Sequence, residues 1–67
     1  MFCPYEFEVL VDVLNVRSQP NKRAKRTTKL KKGDKGIIVE EIDGWGKLMS
    51  GSGWVYTKYI EDLDFRV

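Results

Sequence analysis

Apolar and polar residues alternate along most of this chain, and the alternation breaks at a few glycine-rich points. From Glu6 the pattern alternates. Phe7, Val9 and Val11 fall on one side, and Glu6, Glu8 and Asp12 on the other, which predicts a strand. Two apolar residues meet at Val13-Leu14, so the phase changes there, as at a bulge or tight bend. A second short strand follows with Leu14 and Val16 inward and Asn15 and Arg17 outward. Ser18 to Thr28 is polar and contains Pro20-Asn21, a loop of about eleven residues, a length at which loops tend to be functional. Thr27 to Leu30 reads as a brief strand, Lys31-Lys32-Gly33-Asp34 as a turn, and Lys35 to Ile42 as the longest strand.

The stretch Asp43 to Ile60, DGWGKLMSGSGWVYTKYI, carries two further turns. Asp43-Gly44 is a type I′ signal, because both central positions need positive φ. Gly51-Ser52 reads as a second two-residue turn of the Gly-first kind. These turns predict Ile42 opposite Trp45, Glu40 opposite Lys47, Val39 opposite Leu48, Leu48 opposite Val55 and Met49 opposite Trp54. Side chains alternate across a sheet. Ile37, Val39, Leu48 and Val55, beside the small Gly46, Ser50 and Gly53, would therefore form the core face. Ile38, Glu40, Trp45, Lys47, Met49, Trp54 and Tyr56 would form the other. That second face mixes aromatic rings with charges, the composition of a binding surface. Lys58-Tyr59 is expected to make one helical turn, and Ile60, Leu63 and Phe65 a closing strand.

The expected fold is all-β: five to six short antiparallel strands rolled into a small barrel, which removes exposed edges. A long polar loop follows the first strands, and one helical turn precedes the last. Residues 1–5, with the donorless Pro4, form a lead-in, and residues 6–67 form a single domain. A domain of this size buries only about 60% of its unfolded surface, so its stability is expected to be marginal.

Composition narrows the chemistry. Histidine is absent, so acid–base and metal chemistry through imidazole are excluded. Cys3 is the single cysteine; it can form no internal disulfide and has no histidine to activate it. The carboxylates sit at turns and ends. No metal-ligand spacing and no phosphate-cradling glycine pattern appears. The chain is therefore expected not to be an enzyme and to need no cofactor. No segment approaches the ~20 apolar residues of a membrane span, and residues 1–10 do not read as a signal peptide. A role outside the cell would need a longer chain or release by lysis.

Net charge is only +2, yet eight of the twelve Lys and Arg lie between Asn21 and Lys35. Such crowding points to an anionic partner, with Arg17, Lys22, Arg23, Lys25 and Arg26 as candidate anion contacts. Asn15 is a candidate loop anchor through its side-chain amide.

Four segments carry a family likeness. Val13-Leu14-Asn15-Val16-Arg17-Ser18-Gln19-Pro20 resembles the LNVRSGP start of bacterial SH3-type domains, with Gln19 where a glycine is usual. Leu30 to Asp34 resembles their L-x-K-G turn. Asp43 to Leu48 and Gly53 to Ile60 resemble their NGWxKV and GWVxxxYL segments. The four stand in order across roughly residues 5 to 62. The Pro4-Tyr5 lead-in and GWGKLMSGSGWV look most like the cell-wall-binding domains of clostridial phage endolysins and autolysins.

The resemblance implies an SH3-like barrel that attaches a lytic enzyme, such as an N-acetylmuramoyl-L-alanine amidase, to the peptidoglycan of Gram-positive bacteria. It implies a location at the cell wall, with peptidoglycan or a secondary wall polymer as partner and a covalently linked hydrolase domain. By motif position, Trp45, Tyr56 and Tyr59 correspond to an aromatic ligand groove, to which Lys47 and Trp54 are added from the exposed face. Trp54 has a structural alternative, capping a small apolar cluster with Met49 and Ile38. Homo-oligomers are compatible with the pattern. Two other functions fit the residues: a barrel binding single-stranded nucleic acid by stacking and phosphate contacts, and a module for an acidic peptide.

Overall fold

The computed structural model describes residues 2–64. Seven strands form one antiparallel sheet: β1 (Tyr5–Val9), β2 (Val13–Arg17), β3 (Arg26–Lys31), β4 (Lys35–Ile42), β5 (Trp45–Leu48), β6 (Trp54–Tyr56) and β7 (Ile60–Asp62). A single 3-10 turn, Thr57–Tyr59, precedes β7. The strand order is β3-β2-β6-β5-β4-β1-β7. This is the small SH3-like, all-β arrangement the periodicity predicts, with seven strands where five or six were expected.

One sheet can bury a core only by coiling on itself. Tyr5, Phe7, Val9, Leu14, Val16, Ile38, Leu48, Val55 and Ile60 converge on the inside, with Val11 and Leu30 packed at its margin. Tyr5 already belongs to β1 and is buried. Its phenol donates to the Glu41 carboxylate on the neighbouring strand. Burial, then that hydrogen bond and the negative charge of Glu41, push its pKa well above the ordinary tyrosine value.

The Asp43-Gly44 turn is as predicted: both residues have positive φ, 50° and 85°, and Ile42 faces Trp45. Glu40 faces Lys47, also as predicted. Beyond that point the expected face assignment of β4 is corrected. The register shifts between Ile38 and Glu40, so Leu48 faces Ile38 rather than Val39. A bulge adds one residue and reverses the alternation. Ile38 is fully buried, Val39 is half-buried and Ile37 is 39% exposed. The cause lies on β5. Gly46 has no side chain, and Ile38 fills the space above it: a Cβ there would lie 2.8 Å from Ile38 Cδ1.

The β5–β6 connection is corrected as well. It is a four-residue loop, residues 49–52, closed by the amide of Leu48 donating to the Gly53 carbonyl at 2.9 Å. Gly51 N–H donates to the Leu48 carbonyl at 3.0 Å, a β-turn with glycine at its last position, where glycine is favoured. The register therefore moves by two residues: Trp45 faces Tyr56, Gly46 faces Val55, and Lys47 faces Trp54. A shift of two preserves the faces, so Trp45, Lys47, Trp54 and Tyr56 still point away from the core. The cost falls on Met49, which loses its predicted partner Trp54 and stands 65% exposed at the loop.

Candidate functional site

The outward faces of β2, β5 and β6 and the 3-10 turn enclose an open cleft of about 700 Å³. Trp45, Tyr56, Lys58 and Tyr59 lie on one bank with Asp43; Val13, Asn15, Arg17, Pro20, Asn21 and Lys22 lie on the other. The volume is in the range of small-ligand sites.

Local structure sets the aromatic bank. Trp45 follows the Asp43-Gly44 turn directly, so the turn geometry fixes where its strand begins. The Gly44 carbonyl accepts both the amide (2.9 Å) and the hydroxyl (2.8 Å) of Thr57, which ties the 3-10 turn to that hairpin. Tyr56 precedes the turn and Tyr59 is its last residue, and both are brought into line with Trp45. The Trp45 and Tyr56 ring centroids are 5.2 Å apart at 50°, and those of Tyr56 and Tyr59 are 5.6 Å apart at 62°. Tilted and edge-on pairs at these distances are the favoured aromatic geometries. Tyr56 and Tyr59 remain exposed, so the cluster is a surface shelf rather than part of the core.

The polar bank is built on the loop of residues 18–25. The Arg17 guanidinium donates to the Ala24 carbonyl at 3.0 Å, and Ser18 N–H donates to the Lys25 carbonyl at 2.8 Å. Asn21 Oδ1 accepts the Arg23 amide at 2.9 Å, a turn in which an asparagine side chain stands in for backbone. Asn15, the expected loop anchor, accepts at its Oδ1 from the Arg26 guanidinium at 3.4 Å, and the Arg17 bond to the Ala24 carbonyl ties the loop as well.

The predicted site residues divide into three groups. Trp45, Tyr56 and Tyr59 share the cleft with Arg17, Asn15 and Lys22. Lys47 and Trp54 stand beside the cleft, facing each other across β5 and β6. Trp54 is half-buried between Lys47 and Arg17, its partner on β2, rather than against Met49. Arg23, Lys25 and Arg26 are exposed, and Arg26 faces Arg17 across β2 and β3. Sequence reading missed Asp43 and Lys58 in the cleft. Asp43 was read for its turn propensity alone, and Lys58 as part of the helical turn. Among the described residues no group of three or more acidic, Cys or His side chains could hold a metal ion. No helix of the described residues is long and apolar enough to cross a membrane.

The sequence pattern of the family described as Bacterial SH3 domain matches residues 12–61, well over half of the chain and every element that lines the cleft. No curated protein and no solved structure matches.

Proposed function

The chain belongs to the bacterial SH3 domain family, and on that premise we propose that it is a binding module that holds a peptidoglycan hydrolase on the wall of a Gram-positive cell. Bacterial SH3 domains are binding rather than catalytic domains. The wall as ligand, a linked lytic enzyme of the endolysin or autolysin kind, and an extracellular site of action are the finer parts of this reading.

One observation supports it above the rest. Three aromatic rings, the half-buried Trp45 and the exposed Tyr56 and Tyr59, form a continuous surface shelf opposite a polar bank of Asn15 and Arg17. Such a shelf receives a sugar ring or a short peptide on its aromatic side, and the polar bank sets the orientation by hydrogen bonds. An open cleft of this kind binds a single unit weakly. A wall presents many units, so a tethered enzyme gains local concentration rather than intrinsic affinity.

The test is sedimentation with purified sacculi from which all phosphate-linked polymers have been removed. The wild type should co-sediment, and Trp45→Ala should stay in the supernatant while keeping its folded circular-dichroism spectrum. Equal sedimentation of the two proteins would refute the aromatic cleft as the site.

A further inference from the structure

The strand register places a row of side chains across four strands, beside the aromatic cleft. Arg26 on β3 faces Arg17 on β2, Arg17 faces Trp54 on β6, and Trp54 faces Lys47 on β5. Residues directly opposite in an antiparallel pair project to the same face. Val16, Val55 and Gly46, the neighbours of Arg17, Trp54 and Lys47, are buried, so the row points outward. β3 extends it at one end. Leu30 faces the core residue Leu14, which sends Lys29 and Lys31 outward, opposite Asn15 and Val13 of the cleft.

The result is an L-shaped cationic surface. One arm runs along β3 through Arg26, Lys29 and Lys31, about 17 Å long at the usual rise per residue. The other crosses from Arg26 to Lys47, about 14 Å at the usual strand spacing. Like charges directly opposite one another are unfavourable, yet Arg26 and Arg17 are so placed. The hydrogen bonds these guanidiniums make go to neutral oxygens, the Asn15 amide and the Ala24 carbonyl. Those acceptors orient the two side chains without neutralising them. Glu40, opposite Lys47, closes the far end of the row.

We infer that this surface is a second binding site, contiguous with the aromatic cleft, for a linear wall polymer of polyol units joined by phosphodiesters. The charges are spread too widely for one phosphate or carboxylate to satisfy; several anions in series are needed. Trp54, set between Arg17 and Lys47, offers an apolar face to the carbon chain between phosphates. Nucleic acid is also a phosphodiester chain, but the cleft suits it less. Its three rings pack against one another rather than standing apart as platforms for successive bases, and Asp43 lines the same cleft.

This inference rests on the wall-binding reading, so the experiment separates the two. Sacculi with the polyol-phosphate polymer intact are compared with the same sacculi stripped of it. The proteins are the wild type, Lys29→Glu/Lys31→Glu, Lys29→Gln/Lys31→Gln and Trp45→Ala. Both lysines are exposed, and the glutamine pair guards against any effect of charge reversal on folding. Wild-type affinity should fall at least about tenfold on stripping. The glutamate variant should lose as much on intact walls and nothing on stripped walls, with the glutamine variant in between. Binding to intact walls should weaken roughly twentyfold between about 50 and 200 mM salt, the slope of some three phosphate contacts. Equal wild-type binding to both preparations overturns the inference, as does an equal loss in the lysine variants on both. Tighter binding to an oligothymidylate than to intact walls at the same salt overturns it in favour of nucleic acid. If Trp45→Ala still binds stripped walls, the aromatic cleft fails as the site while the cationic surface stands on the difference between preparations.

Discussion

Ile38 sits in the space that Gly46 leaves empty: a Cβ on Gly46 would lie 2.8 Å from Ile38 Cδ1 and 3.1 Å from its Cγ2. The missing side chain on β5 and the bulge on β4 are two sides of one contact. Together they decide which of two adjacent isoleucines enters the core.

Gly46→Ala should therefore destabilise the domain by about 1–3 kcal/mol, the usual result of adding a methyl group to a packed core. Ile38→Val in the same chain should recover part of the loss, because it withdraws the clashing Cδ1. A double-mutant cycle from urea unfolding checks this. Additive effects would mean that the two residues do not share the space.

Gly53 tolerates a side chain less well. Its φ is +142°, and a Cβ would meet the Arg17 carbonyl oxygen at 2.3 Å, a backbone atom that cannot swing aside. Gly53→Ala should cost at least about 2 kcal/mol by combined strain and clash. It should also loosen the β2–β6 pairing, which rests on Arg17 and Trp54. Equilibrium unfolding and amide exchange near Trp54 measure the two effects.

Alkaline pH should weaken the fold through Tyr5. Its folded pKa lies above the unfolded value of about 10, so the folded state holds the phenolic proton more tightly. The associated stability is fully present below pH ~10 and is lost as pH rises through the folded pKa. Tyr5→Phe keeps the ring but has no proton to lose. Its stability should fall less steeply than that of the wild type above pH ~10, as read from urea midpoints across the alkaline range.

Tyr59→Ala should separate binding from folding. The ring is 42% exposed and packs on Tyr56, while the backbone carbonyl of Tyr59 accepts the Leu10 amide whatever the side chain. Wall binding should fall about tenfold, as for an aromatic anchor, with unfolding free energy changed by less than about 1 kcal/mol. A fall in stability matching the fall in binding would make Tyr59 a structural residue instead.

Local chemistry was legible in the sequence wherever the determining residues are neighbours. The alternation that places Phe7 and Val9 inward, the bounds of Lys35–Ile42 and the Asp43-Gly44 turn follow from residues within a few positions of one another. Trp45 and Tyr56 could be assigned to the outward face because a register error of two leaves parity unchanged.

The four-residue loop at residues 49–52 was not legible, because Gly51-Ser52 is also compatible with a tight turn. The error moved Trp54 from Met49 to Lys47 and so hid the row it forms with Arg17. Ile37 and Ile38 are equally apolar, and nothing local distinguishes them. The choice between them is made by Gly46, on another strand.

What the sequence by itself determined is the all-β class, the type of the Asp43-Gly44 turn and the outward face of the aromatic hairpin, since these depend on period and turn chemistry. Tertiary structure alone decided which isoleucine is buried. It alone also decided that Arg26, Arg17, Trp54 and Lys47 stand in one row. Each of these is set by strand pairing or by packing between residues distant in the chain, and neither is encoded in any single segment.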